Sequence, residues 1–274
     1  MSDTQTPDAS GDFVQSLARG LAILRAIGEA GGSLGVQVAA ERTSLNRATA
    51  RRLLKTLESL GYVHNHGREY RLSARVLELG YDYLANLGIA ELVSEPLERL
   101  SDTLGEAVSV TVLEGHEIVY VARARPPRVM TVSLGIGARL PAWHTSMGRV
   151  LLSGLGDADF AQMLASEGIP AKRTHYSIDN PMQLTREIAS VRAQGWCMVD
   201  QELELGLRSV AVPLLRDGRR IVAALNAATA HVGESPEDTL RRLLPHLQNV
   251  ATEISGMLDH VQYEGLGRKS GEGQ

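Results

Sequence analysis

Three side chains of the types that cooperate in hydrolases occur in the second half of the chain: His144, Ser146 and Asp200. A histidine that takes the proton of a serine hydroxyl, and is itself oriented by a carboxylate, forms a nucleophilic triad. Ser146 lacks the G-x-S-x-G turn that presents such a serine, and polar triples of this kind arise by chance in most chains. The sequence therefore predicts no catalytic residues, and an enzyme built on this half of the chain remains the alternative.

Metal chemistry has little support. Cys197 is the single cysteine, so the chain has neither an internal disulfide nor a multi-cysteine zinc site. His144, Cys197 and the carboxylates near residue 200 lack the close spacing of zinc ligands. We expect no metal and no cofactor, we interpret Cys197 as a small core residue, and a lone thiol fits a reducing cytoplasm.

Basic side chains follow one side of a predicted helix at residues 46–60. Its apolar residues recur every three or four positions, at Ala50, Leu53, Leu54, Leu57 and Leu60. Arg47, Arg51 and Lys55 project from the other side. A charged stripe is often only a solvated surface, so its meaning depends on the elements around it.

Those elements have the order of a winged helix-turn-helix. The pattern predicts helices at 14–30 and 34–42, a turn at 43–45, the basic helix, strands at 62–64 and 69–72 around a turn at 65–67, and a linker helix from residue 73. Residues 42–75 carry eight basic and two acidic residues, a charge of +6, while the remainder of the chain carries −10. A short basic module on an acidic body is typical of nucleic-acid binding.

The start of the basic helix predicts the contacts with DNA. Side chains there reach base edges in the major groove, where arginine pairs with guanine and asparagine with adenine. The predicted DNA-binding residues are Ser44, Asn46, Arg47, Thr49, Arg51, Arg52, Lys55 and Arg68. Arg52, Lys55 and Arg68 are better placed for phosphates. A winged helix that binds protein remains an alternative, and its binding would survive high salt.

From residue 91 the pattern alternates between strands and helices. It predicts helices at 91–104, 146–155, 157–166, 182–194 and 236–260, a hairpin at 108–122 turning at Glu114-Gly115, and strands at 130–134, 196–200, 209–215 and 221–228. An antiparallel sheet with helices on its faces is the natural packing, so the fold class is α+β. No stretch approaches the length of a membrane span and no signal peptide is evident, so we expect no membrane association.

A strand-to-helix junction at Arg139–Leu152 predicts an anion site. Free N–H groups at the start of that helix suit a carboxylate. A plain N-cap at Thr145 or Ser146 beside a packed Met147 is the alternative. A second polar group, at 200–209, is either part of the same site or a set of surface charges around a turn.

Several phrases resemble the IclR family over roughly residues 13–260. They are FVQSLARGL (13–21), GYDYLANLG (80–88), TSMGRVLL (145–152) and VDQELELGLRS (199–209). They are similar to the branch that controls catabolism of protocatechuate and para-hydroxybenzoate through the β-ketoadipate pathway. The resemblance implies a winged-helix domain at 13–72, a linker helix at 73–90, a GAF-like effector-binding domain at 91–262, and disordered tails at 1–12 and 263–274.

The resemblance also implies the partners and the effector site. The partners would be an operator in double-stranded DNA, a small aromatic acid or pathway intermediate such as β-ketoadipate, and a second copy in a homodimer or dimer of dimers. The implied effector-binding residues are Ser146, Met147, Val199, Ser209, Asn226 and Ala228. Many relatives have an acidic residue where Val199 stands and a cysteine where Ser209 stands, which favours an aromatic acid over a glyoxylate-type effector.

Overall fold

A computed structural model describes residues 13–79, 89–126, 135–169, 171–231 and 233–259. The chain divides into two compact units between Tyr83 and Leu84. The predicted tails and the predicted strand at 130–134 lie outside the described residues. Among the described residues, no helix has the length and apolar character needed to cross a bilayer.

The first unit consists of three helices and a small sheet. Its elements are α1 (Gln15–Glu29), β1 (Ser33–Gly35), α2 (Val36–Arg42), α3 (Arg47–Ser59), β2 (Val63–His66) and β3 (Glu69–Leu72). Apolar faces of all three helices meet β2 and β3 in one core that includes Ile23, Ile27, Leu54, Val63 and Tyr70. The predicted helix-turn-helix is confirmed.

The wing differs from the prediction in two details. Residues 33–35 form a third strand, so the sheet has the order β1-β3-β2 and α2 begins only at Val36. The hairpin turns at Gly67-Arg68 rather than at residues 65–67, because His66 pairs with Glu69. Gly67 has a φ of 71°, which glycine adopts without the penalty that a side chain would bring.

The predicted linker helix begins as a 3₁₀ turn at Ala74–Leu77. Ser73 caps this turn by accepting a hydrogen bond from the Arg75 N–H, and its hydroxyl donates to the Gly61 carbonyl. Residues 80–88, which were predicted to continue the helix, lie outside the described residues. The extent of a linker at 73–90 therefore stays a prediction.

The second unit is built on an antiparallel sheet of six strands in the order β6-β5-β4-β9-β8-β7. Its strands are β4 (Ala107–Glu114), β5 (Glu117–Ala124), β6 (Arg139–Pro141), β7 (Cys197–Asp200), β8 (Leu207–Arg216) and β9 (Arg220–Ala230). Its helices are α4 (Ile89–Leu104), α5 (Ser146–Ser153), α6 (Asp157–Glu167), α7 (Pro181–Gln194) and α8 (Pro236–Asp259). The α+β class is confirmed.

Helices cover both faces of this sheet. Alternate residues of β4, β8 and β9 pack with α4 and α8 in one core that includes Leu97, Val110, Leu225 and Leu247. The other face packs with α5 and α7 in a second core around Trp143. Helices therefore pack on both sides of the sheet, and a partly open cavity lies on the α5 side.

Candidate functional site

The start of α3 presents polar side chains at the surface of the first unit. Asn46 is the N-cap, and its side-chain oxygen accepts a hydrogen bond from the Thr49 N–H at 2.8 Å. Arg47 and Arg51 follow one turn apart, and both are exposed. The cap thus fixes the helix start at the place where side chains enter a major groove in helix-turn-helix proteins.

The predicted DNA contacts differ in their surroundings. Seven of the eight are exposed, and Thr49 is half-buried. Ser44 has a φ of 54° and forms the turn between α2 and α3. Arg68 lies in the two-residue turn at the tip of the wing. The exposed set is Ser44, Asn46, Arg47, Arg51, Arg52, Lys55 and Arg68.

An apolar groove runs between α1 and α3 in the first unit. Its volume is about 670 Å³, and two of the predicted DNA-binding residues, Thr49 and Arg52, are among the residues that line it. Leu17, Leu21 and Leu79 line the groove and are 63%, 43% and 58% exposed. Apolar side chains of this size grouped on one surface are typical of protein interfaces.

The second unit has a cavity of about 360 Å³ between the sheet and the start of α5, and the cavity is partly open to solvent. The strand register places Ser109 of β4 opposite Asn226 of β9, and Ala107 opposite Ala228. Ser209 of β8 also pairs with Ala228. These small side chains leave space above the sheet, which Met147 and Val199 close with apolar walls.

Five of the six predicted effector residues line this cavity, and the sixth lies directly behind it. The five are Met147, Val199, Ser209, Asn226 and Ala228. Ser146 is fully buried, and its hydroxyl lies 2.5 Å from the Ser209 hydroxyl. The structure thus brings together all the residues that the resemblance implied, although their role in binding stays a prediction.

Three polar residues that line the cavity were not predicted from the sequence: Glu106, Tyr120 and Arg123. The guanidinium carbon of Arg123 lies 5.9 Å from the centre of the Tyr120 ring. Burial raises the pKa of the Tyr120 hydroxyl, so this group stays protonated at neutral pH. Glu106 accepts hydrogen bonds from Thr229 at 2.6 Å and Arg242 at 3.1 Å.

A bulge in β5 explains why Arg123 belongs to the cavity. Thr111 pairs with Tyr120, while its neighbour Val110 pairs with Ala122, so Val121 is the extra residue. Side chains of a regular strand alternate between faces, which would place Tyr120 and Arg123 on opposite sides. With the extra residue, both lie on the face that carries the cavity.

The start of α5 is held tightly. Thr145 is its N-cap and accepts the Gly148 N–H at 3.1 Å. A β-carbon at Gly148 would collide with the Ala142 backbone, so only glycine allows this close approach. Among the described residues, the N–H groups of Ser146 and Met147 donate no hydrogen bond. They are donors available to an anion.

A buried ion pair holds the loop that borders the cavity. Arg149 donates to both carboxylate oxygens of Glu202, at 2.7 and 2.5 Å, and to the Trp143 carbonyl at 3.0 Å. Glu202 also accepts the Ile178 N–H at 3.0 Å. The loop after Glu202 supplies the cavity wall from Leu203 to Leu207, so this pair positions the wall.

The residues of the hypothetical triad have other partners. The Ser146 hydroxyl bonds Ser209, the His144 Nε2 bonds the Ile178 carbonyl, and Asp200 pairs with Arg208 at 2.8 Å. Burial raises the pKa of the Cys197 thiol to about 12, so the thiol is neutral. No group of three potential metal ligands occurs among the described residues.

A winged-helix unit joined to a unit with a ligand-sized cavity defines a class of DNA-binding transcription regulators. The model of the "IclR helix-turn-helix domain" matches residues 16–67, and that of the "Bacterial transcriptional regulator IclR C-terminal" matches residues 81–256. The chain belongs to the IclR family. It is a DNA-binding regulator and not an enzyme.

Named relatives agree with this assignment. The chain is 43% identical to the "Pca regulon regulatory protein" of Pseudomonas putida, over 90% of this chain and 85% of that one. It is 34% identical to the "p-hydroxybenzoate hydroxylase transcriptional activator" of Acinetobacter baylyi, over 90% and 93%. A crystal structure of a double mutant of the PobR inducer-binding domain from Acinetobacter, in complex with 3-hydroxybenzoic acid, matches with a TM-score of 0.57 at 31% identity, covering 61% of this chain and 97% of that one.

Proposed function

We propose that this regulator binds a small hydroxylated aromatic acid in the cavity of its second unit and so controls genes of aromatic catabolism from the cytoplasm. The observation that carries the proposal is the cavity itself. Its volume of about 360 Å³ lies in the range of small-molecule sites. Met147 and Val199 offer apolar surface to a ring, and polar groups converge from the sheet and from α5.

Two features of the cavity favour an anion. The free N–H groups at the start of α5 carry the positive end of the helix dipole, and Arg123 adds a full charge on the wall. Glu106 is neutralised in part by its ion pair with Arg242. A carboxylate is therefore the expected anionic group, in agreement with the complex of the similar PobR domain.

Operator binding is assigned to α3 and the wing. Arg47 and Arg51 stand where they can pair with guanine, while Arg52, Lys55 and Arg68 suit phosphates. The cap formed by Asn46 engages its side-chain oxygen, which leaves the amide N–H groups for a base. Because phosphate contacts release counterions, the affinity for DNA should fall as the salt concentration rises. A winged helix that binds protein would instead keep its affinity at high salt.

The groove between α1 and α3 supports a second copy of the chain as the partner. One small winged-helix unit seldom binds operator DNA with enough affinity, whereas two such units in a dimer recognise half-sites about 34 Å apart. Leu79, which follows the predicted start of the linker, lines the groove together with Leu17 and Leu21. A homodimer, or a dimer of dimers, would bury these exposed side chains. Leu21→Glu should therefore yield monomers in sedimentation. Leu77→Glu is the control, because Leu77 is an exposed leucine outside the groove, and this variant should sediment like the wild type.

The effector assignment is tested by filling the cavity. Ala228→Leu adds a side chain to the half-exposed floor of the cavity, whereas Ala124→Leu makes the same change at a half-buried site on the opposite face of the sheet. Calorimetric titration with 3- and 4-hydroxybenzoate should show binding to the wild type and to Ala124→Leu but not to Ala228→Leu. Equal affinity for Ala228→Leu would place the ligand elsewhere.

A further inference from the structure

His144 has one ring nitrogen that makes a hydrogen bond and one that lacks a hydrogen-bond partner. The side chain is fully buried at the turn before α5 and lines the cavity. Its Nε2 lies 3.2 Å from the Ile178 carbonyl oxygen. A carbonyl only accepts hydrogen bonds, so Nε2 carries the proton, and in the neutral ring Nδ1 is an acceptor with a lone pair.

That acceptor lacks a partner. Nδ1 of His144 is buried and makes no hydrogen bond within the described part of the chain, and the same is true of the side-chain oxygen of Asn226. Asn226 is 3% exposed and lies in the same cavity. Buried polar atoms are nearly always paired. An unpaired acceptor on a residue that lines the cavity therefore points to a donor that arrives with the ligand.

The charge state of His144 agrees with this geometry. Burial lowers the pKa of the imidazole, and the Arg149 and Arg173 charges lower it further, against the Ile178 hydrogen bond and the Glu202 charge that raise it. The ring is therefore neutral at pH 7, with the proton on Nε2. An incoming group must supply its own hydrogen to bond Nδ1.

We propose that His144 is a specificity-determining residue that accepts a hydrogen bond from a ring hydroxyl of the effector. This inference rests on the proposed function, and it narrows the effector to aromatic acids with a protonated hydroxyl. A carboxylate oxygen placed beside Nδ1 would bring two lone pairs together. Because His144 lies at the turn before α5, the ring hydroxyl then lies near the start of α5, and Arg123 is the partner of the carboxylate. This orientation is the reverse of the one that the junction at Arg139–Leu152 suggests from sequence, in which the carboxylate lies at the start of α5.

Fluorine provides the test, because it is close to a hydroxyl in size and donates no hydrogen bond. The probes are 3-hydroxybenzoate with 3-fluorobenzoate, and 4-hydroxybenzoate with 4-fluorobenzoate, titrated calorimetrically into the full chain. The wild type should prefer the hydroxyl at one ring position or both by roughly tenfold or more, as expected for one net hydrogen bond. His144→Gln retains a donor for the Ile178 carbonyl and loses the ring nitrogen, so its preference should fall close to unity.

Two further variants separate specificity from damage to the fold. His144→Asn places a carboxamide oxygen near the former Nδ1 and should keep a measurable hydroxyl preference. Arg123→Gln should weaken both members of a probe pair by the same factor and leave their ratio intact. Near-ultraviolet circular dichroism and operator affinity check the fold of each variant.

The outcomes distinguish the two proposals. An unchanged hydroxyl preference in folded His144→Gln would overturn the role of His144. Binding of all four probes to the wild type without a hydroxyl preference overturns the inference and leaves the aromatic-acid effector standing. Failure of all four probes to bind the wild type overturns both.

Discussion

Replacement of Glu202 by glutamine should destabilise the second unit strongly. The Glu202 carboxylate accepts three hydrogen bonds, two from Arg149 and one from the Ile178 N–H. Glu202→Gln leaves the Arg149 charge, which is 1% exposed, with only the more distant Glu187 carboxylate and turns an amide donor toward other donors. Loss of one partner of a buried ion pair costs about 3 to 5 kcal/mol, which is a large part of the stability of a typical domain.

Tryptophan fluorescence reports the loss of folding stability in the second unit of the chain. The chain has two tryptophans, Trp143 and Trp196, and both lie in the second unit. Urea titration followed by this signal should give a much lower midpoint for Glu202→Gln than for the wild type. Glu187→Gln is the matched control, because Glu187 is 3.9 Å from Arg149 and more exposed. Equal midpoints for Glu202→Gln and the wild type would show that the Arg149–Glu202 ion pair does not stabilise the second unit.

Three other changes test separate parts of the account. Arg51→Ala should weaken operator binding by about 1 to 3 kcal/mol in fluorescence anisotropy at fixed salt and leave effector affinity unchanged; full operator affinity would remove Arg51 from the interface. Asn226→Leu removes an amide that can donate to the hydroxyl oxygen, so it should weaken binding of a hydroxybenzoate by about 1 to 3 kcal/mol and hardly change that of benzoate, as measured by calorimetry, whereas equal losses would show that Asn226 does not contact a ring hydroxyl. Because burial lowers the pKa of His144 in the folded state, the unfolded chain binds more protons below pH of about 6.5. The second unit should lose stability as pH falls through that value, and urea midpoints of His144→Gln should fall less than those of the wild type.

Local patterns were sufficient to predict α1 and α3, whereas the first two residues of the predicted second helix belong to β1. The period of the apolar residues in α3 and the polar residue before it indicate both the buried face and the cap, since these depend on neighbours three or four positions away. The end of the wing strand was less predictable. Asn65 and Gly67 are residue types common in turns, and only pairing of His66 with Glu69 moves the turn to Gly67-Arg68.

The cavity depends on contacts that no local pattern contains. Arg123 reaches it because Val121 is an extra residue in β5, and the strand alternation on which the sequence prediction relied gives no sign of that bulge. Ser146 and Ser209 are 63 positions apart, and Arg149 and Glu202 are 53 apart. The resemblance to the family predicted which segments form the cavity. The ion pair between Arg149 and Glu202 and the unpaired Nδ1 of His144 could be identified only in the folded structure.

We propose that one chain binds DNA through α3 and an aromatic acid through the second unit, and that the two binding events are coupled. The most direct measurement is the affinity for the intergenic DNA upstream of its own gene, in rising salt, with and without saturating 4-hydroxybenzoate. We predict that affinity falls steeply with salt and that the acid shifts it in the wild type and in Ala124→Leu but not in Ala228→Leu. Affinity that is independent of salt would exclude phosphate contacts by α3 and the wing, and affinity that is the same with and without the acid in the wild type would exclude the coupling.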